Sequence, residues 1–115
     1  MIARLWSART TSGQSTKYLE HFRQSVVPSL RTFDGYLCSS VLVRSHGDAV
    51  EILVTTVWQS LQAIDAFAGA DRETAVVASE AAAFLTDYDR RVRHYEVAQT
   101  DGLSFRQSPL PDTPN

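Results

Sequence analysis

The sequence predicts an α+β domain in the ferredoxin-like order βαββαβ, with a four-stranded antiparallel sheet. Three observations carry that expectation. Residues 51–58 place Ile52, Val54, Thr56 and Trp58 on one face of a strand and Leu53, Thr55 and Val57 on the other. A half-exposed strand alternates apolar and polar residues, so this one is expected to be buried on both faces. Immediately after it the period changes: Ser60 can cap a helix whose Leu61, Ile64, Phe67 and Ala68 share one face, and Gly69 can end it. Flanking this unit, strand-like and helix-like stretches alternate with polar turns between them.

The elements follow in order. Residues 2–9 read as a strand, with Ile2, Arg4, Trp6 and Ala8 on one face and Ala3, Leu5 and Ser7 on the other. Residues 10–15, with Gly13, read as a polar turn that can cap a helix. That helix shows Tyr18, Leu19, Phe22, Val26 and Leu30 at spacings near three and four, and Pro28 predicts a kink or break. Asp34 and Gly35 form a turn before the β-branched strand 36–44, and residues 45–48 close a hairpin into 51–58. After the central helix, Asp71 can cap a short helical piece over 72–79, with the alanine-rich 80–85 either continuing it or turning. Residues 87–89 read as punctuation and 91–99 as the last strand, with His94 and Arg93 on opposite faces. The domain is expected to span 1–99. Residues 100–115, with Pro109, Pro111 and Pro114 and no periodicity, read as a flexible or extended tail.

Two helices cover only one face of such a sheet, yet the central strand is apolar on both. A second copy of the chain is the economical cover, which predicts a homodimer.

Composition excludes several function classes. The net charge is −2 and the 11 basic residues are scattered, so no nucleic-acid-binding stripe is expected. No apolar run approaches the roughly 20 residues of a membrane span, and the N-terminus lacks the apolar stretch of a signal peptide. The single cysteine, Cys38, excludes an internal disulfide and fits a reducing compartment, so a soluble cytoplasmic protein is expected. The three histidines are dispersed, without Cys or carboxylate at ligand spacing, and no metal site or cofactor is expected. No glycine-rich phosphate loop occurs.

Residues 50–64, VEILVTTVWQSLQAI, resemble the strand–Trp–x–Ser–helix signature of the antibiotic biosynthesis monooxygenase (ABM) family, and the likeness extends over residues 1 to about 99. The resemblance implies ferredoxin-like subunits paired as a dimeric α/β barrel, with a pocket between sheet and helices in each. It implies cofactor-independent oxidation of aromatic polyketides by some members and haem degradation by others. The polyketide oxygenases carry an Asn four residues before the strand-end Trp and a Tyr six after it; here those positions hold Val54 and Ile64. Where the haem-degrading members use an Asn, a Trp and an iron-binding His, this chain has Trp6, Phe67 and Val77, and Val77 offers no ligand atom.

Within that frame Trp58 reads as a packed core residue or as a wall of the pocket. Mid-strand His94 is the candidate catalytic base or donor, provided that it faces the pocket rather than the dimer seam; the alternative is a structural histidine. Trp6 offers a stacking wall and Arg4 an anion partner if their strand face lines the cavity, with Phe67 as further substrate-binding surface. Tyr36 and Tyr88 are weaker candidates. His21 and His46 read as surface residues, and Ser60 as a helix cap, since no His is placed to activate it. Three functions remain open. The first is a cofactor-independent monooxygenase acting on a small aromatic, and the second a non-catalytic ligand-binding or dimeric assembly module. Haem binding is the least favoured.

Overall fold

A computed structural model describes residues 1–102. The chain runs β1 (Ile2–Thr11), α1 (Ser12–His21), a π-helical turn (Phe22–Val26), α2 (Val27–Leu30), β2 (Tyr36–His46), β3 (Ala49–Trp58), α3 (Leu61–Ala68), α4 (Ser79–Ala82), β4 (Asp87–Tyr88) and β5 (Arg93–Glu96). The sheet is antiparallel and open, in the order β2-β3-β1-β4, with β5 also on β1. Strands β4 and β5 lie along the same edge of β1, opposite Ala8–Arg9 and Ile2–Leu5 respectively. Five strands therefore occupy the four positions of a ferredoxin-like sheet.

The β1–β3 register, Ile2 opposite Trp58 through Thr11 opposite Ala49, aligns the two central strands over their whole length. It gathers Arg4, Trp6 and Ala8 with Ile52, Val54, Thr56 and Trp58 on the face that the helices cover. The core forms there, around Tyr18, Phe22, Leu30, Ile52, Trp58 and Ile64. On the other face lie Leu5, Leu53 and Thr55, none of them fully buried, and the exposed Leu42.

Several local expectations meet their structural cause. The Ser60 hydroxyl accepts from the Ala63 amide at 3.2 Å, and Gly69 at φ +88° ends α3. Gly47, at φ +60°, makes the two-residue hairpin turn between β2 and β3. The first helix starts earlier than the sequence suggests: Thr11 caps it, accepting from the Gln14 amide, and Gly13 lies inside its first turn. Pro28 does not break the helix. It lacks the N–H for a regular bond and its ring crowds the carbonyl four residues back. The chain answers with a π turn just upstream, in which the Val27 amide reaches the Phe22 carbonyl.

The second crossover departs furthest from expectation. Residues 72–78 are not helical. The Asp71 carboxylate accepts from the Glu73 amide and the Thr74 amide reaches the Asp71 carbonyl, which makes a turn instead of a helix start. Thr74, Val76 and Val77 are β-branched and lose side-chain freedom in a helix. The last strand is shorter than 91–99, because Arg91 bridges to Thr74 instead of β1. Residues 87–88, read as punctuation, pair with β1. The tail expected from residue 100 lies, from 103 onward, outside the described residues.

Candidate functional site

A cavity of about 80 Å³ lies between the sheet and the crossovers. Strand β1 contributes Arg4 and Trp6, and β3 contributes Val54 and Thr56. The first crossover contributes Tyr18, His21 and Phe22, and α3 contributes Phe67. Segment 76–78 and Ala81 roof it. A cleft of about 330 Å³ shares His21, Val26, Phe67 and Val76 with the cavity and leads outward past Ser25 and Glu80.

Arg4 is the charged group of this cavity, only 5% exposed. Its guanidinium donates to the carbonyl oxygens of Arg72 (2.5 Å) and Thr74 (2.8 Å) and lies 3.0 Å from His94 Nε2. It also stands 5.4 Å from the Phe67 ring centroid, a cation–π contact. Burial pulls its pKa down to about 10, so it stays protonated at neutral pH. No carboxylate among the described residues lies within ion-pairing distance of it: Asp65 is held by Arg72, and Asp71 and Glu73 by Arg91.

The short contact fixes the state of His94. An arginine only donates, so Nε2 accepts, and the imidazole is neutral with its proton on Nδ1. Burial first, and the Arg4 charge second, lower its pKa below the ordinary value. His94 is on the helix-covered face, as the strand alternation requires, but the cavity wall ends at Arg4 and His94 stands behind it. Trp58 likewise lies one layer back. It is fully buried, donates its indole N–H to the Thr56 hydroxyl at 2.8 Å, and packs on Phe33, Tyr36 and Phe67. Phe67, 5.3 Å from Trp58 between ring centroids, presents the aromatic surface to the cavity in its place. Trp6 does line the cavity, its N–H tied to the Asp89 carbonyl at 2.7 Å.

Of the sequence-predicted set, Arg4, Trp6 and Phe67 therefore meet at one cavity, and Trp58 and His94 support them from behind. Three polar side chains of the cavity were not anticipated. Tyr18 is 3% exposed, and its hydroxyl has no hydrogen-bond partner among the described residues; burial raises its pKa, so it is a neutral phenol. Thr56 brings a hydroxyl to the wall. His21, expected at the surface, lines the cavity, and its Nε2 is buried without a partner among the described residues. Its position three residues after Tyr18 and next to Phe22 is the signal that places it on the inner face. Val54 and Val77 are both apolar walls of the cavity, and Ile64 is sealed in the core. Among the described residues no cluster of three metal-ligating side chains occurs.

A ferredoxin-like subunit with a cavity under its second crossover defines a recognisable class, and comparison sharpens it. The sequence model of the family described as antibiotic biosynthesis monooxygenase matches residues 1–79, and the chain belongs to that family. No curated protein matches it by sequence. Among solved structures, a candidate antibiotic biosynthesis monooxygenase from Bacillus cereus superposes with a TM-score of 0.64 at 19% identity, covering 89% of this chain and 95% of that one. One from Deinococcus radiodurans superposes with a TM-score of 0.57 at 17% identity, covering 89% and 97%. At these identities the likeness shows the shared fold. No helix among the described residues is long and apolar enough to cross a membrane.

Proposed function

We propose that this protein is a cofactor-independent monooxygenase acting on a small aromatic substrate. One observation carries the reading: the cavity is walled by aromatic rings (Trp6, Tyr18, Phe22 and Phe67) and holds a buried imidazole nitrogen, on His21, with no partner among the described residues. Such walls bind a flat ring, and an unpaired acceptor or donor inside them costs about 1–3 kcal/mol until a ligand group meets it. The reaction class needs no external reductant. Conversion of a ring-activated methylene to a carbonyl releases the four electrons that dioxygen requires, with one oxygen atom entering the product and the other leaving as water. In its Nε2-unprotonated form His21 accepts the substrate proton, while Arg4 orients the substrate in the cavity. His94 acts through Arg4, as a positioning residue.

The test is oxygen uptake with anthrones and reduced quinones. Uptake that falls at least tenfold in His21→Leu supports the reading. Tight binding of an aromatic with no uptake from any of them replaces it with a non-catalytic binding module, which Val54 and Ile64 in place of polar partners favour.

The same reading includes a homodimer closing an α/β barrel. Its support is the sheet face opposite the helices, where Leu42 stands directly opposite Leu53 and Leu5 lies on the same face of β1, Leu42 at 52% exposed. A second copy covers that face at the smallest cost in new surface. Light scattering after size exclusion is expected to give a dimer, and Leu53→Glu a monomer; a wild-type monomer at micromolar concentration would refute the barrel. Residues 1–99 are taken as the functional unit, and the unpaired Cys38 supports a cytoplasmic location.

A further inference from the structure

The oxygenase reading leaves open what chemical group of a ligand meets the one full charge in the cavity. Arg4 spends three of its five N–H donors on the carbonyls of Arg72 and Thr74 and on His94 Nε2. The Nε–H and one Nη2–H have no acceptor among the described residues, and two is the number of donors that a carboxylate takes in a bidentate pair. Neutral acceptors also leave the charge itself uncompensated, and a buried unpaired charge is expensive. The neighbouring acids are committed elsewhere: Asp65 receives Arg72 through two bonds at 2.7 and 2.8 Å, and Asp71 and Glu73 both receive Arg91. The rest of the wall is apolar or neutral, apart from the outward cleft, where Glu80 stands at the rim.

We infer that the ligand of this cavity is an aromatic carboxylate, seated with its charge on Arg4 and its ring on the aromatic wall. The inference rests on the cavity being the substrate site, as in the oxygenase reading, and narrows the substrate to an acid. A charged ligand in this position completes the hydrogen bonding of Arg4 and neutralises it, where a neutral isostere does neither. Selectivity for acid over amide follows.

Benzoate and benzamide, matched in shape, provide the test by calorimetric titration at pH 7, with the wild-type Arg4 Nε–H followed by NMR. Benzoate is expected to bind at least tenfold tighter than benzamide and to move the Arg4 Nε–H resonance, and Arg4→Met is expected to erase the preference. Equal binding of the two, no binding of benzoate at millimolar concentration, or an Arg4 resonance unmoved at saturation each overturns the proposal. The resonance decides in the wild-type protein even if Arg4→Met fails to fold. Oxygen uptake from neutral anthrones without any preference for acids would leave the oxygenase reading standing and remove this one. Benzoate-selective binding with no uptake from any aromatic would do the reverse.

Discussion

Between Thr11 and Tyr36 the chain is helical almost throughout, whereas between Trp58 and Asp87 it holds only two short helices joined by coil. Both stretches cross the same face of the same sheet. The first covers it by side-chain packing, with Tyr18, Phe22 and Leu30 all buried. The second, after α3, is held by polar tethers: Arg4 binds the carbonyls of residues 72 and 74, and Arg91 binds Asp71 and Glu73. Packing fills space and tethers leave it open. The cavity lies where the second crossover fails to complete a helix, and its charged group is the one that holds the tether.

The largest effect is expected where both crossovers rest on one residue. Trp58 touches Phe33, from the end of the first, and Phe67, from the second. Trp58→Ala should cost about 3–5 kcal/mol in urea denaturation. A loss under about 1 kcal/mol would mean that the crossovers are not joined through this indole. Next comes Gly35, at φ +88°, where an added Cβ would lie 2.5 Å from the Ala63 Cβ of α3. Gly35→Ala should cost about 2–3 kcal/mol from overpacking and backbone strain. In a cycle with Ala63→Gly the two changes should couple favourably, since the second removes the clash. Simple additivity would show that the two crossovers do not press on each other there. Ser60→Ala, which removes the cap of α3, should cost about 1 kcal/mol. Thr11→Ala should cost less, because the Thr11 bond to the Gln14 amide is exposed to water whereas that of Ser60 is partly buried.

Legibility in the sequence followed the same division. The β3–α3 junction, Ser60 cap and Gly69 stop were readable because each depends on neighbours a few residues away. The inner face of the first helix was readable only in part: Tyr18 and Phe22 announced themselves as apolar, but His21 is polar, and periodicity alone does not separate an inward imidazole from a solvated one. The second crossover was misread as helix because Asp71 resembles a cap. What decides its shape is Arg4, 68 residues from Arg72 in sequence, and no local pattern reports such a tether. The same distance hides the pairing of Arg4 with His94, which sets the imidazole behind the cation and off the cavity wall.

That pairing gives the smallest and most specific prediction. His94 is faced by Arg4 from β1, by Arg72 and Glu73 from the tethered segment, and by Asp65 from α3. Burial and the two arginines lower its folded pKa, and the two acids offset this only in part. In the unfolded chain the imidazole titrates near 6.5. The folded protein therefore binds fewer protons than the unfolded one just below pH 6.5, and stability falls as the pH drops through that window. The part held by His94 is fully present above about 6.5 and is lost as the pH falls through the depressed folded value. Protonation also removes the acceptor at Nε2, so the Arg4 tether should loosen in the same range. In His94→Gln a non-titrating amide oxygen can take the Arg4 hydrogen bond. Its stability between pH 7.5 and 5 should be flatter than that of the wild type, and the protection factor of the Thr74 amide should no longer fall on acidification. Parallel pH profiles for the two proteins would show that the imidazole does not hold the second crossover through Arg4.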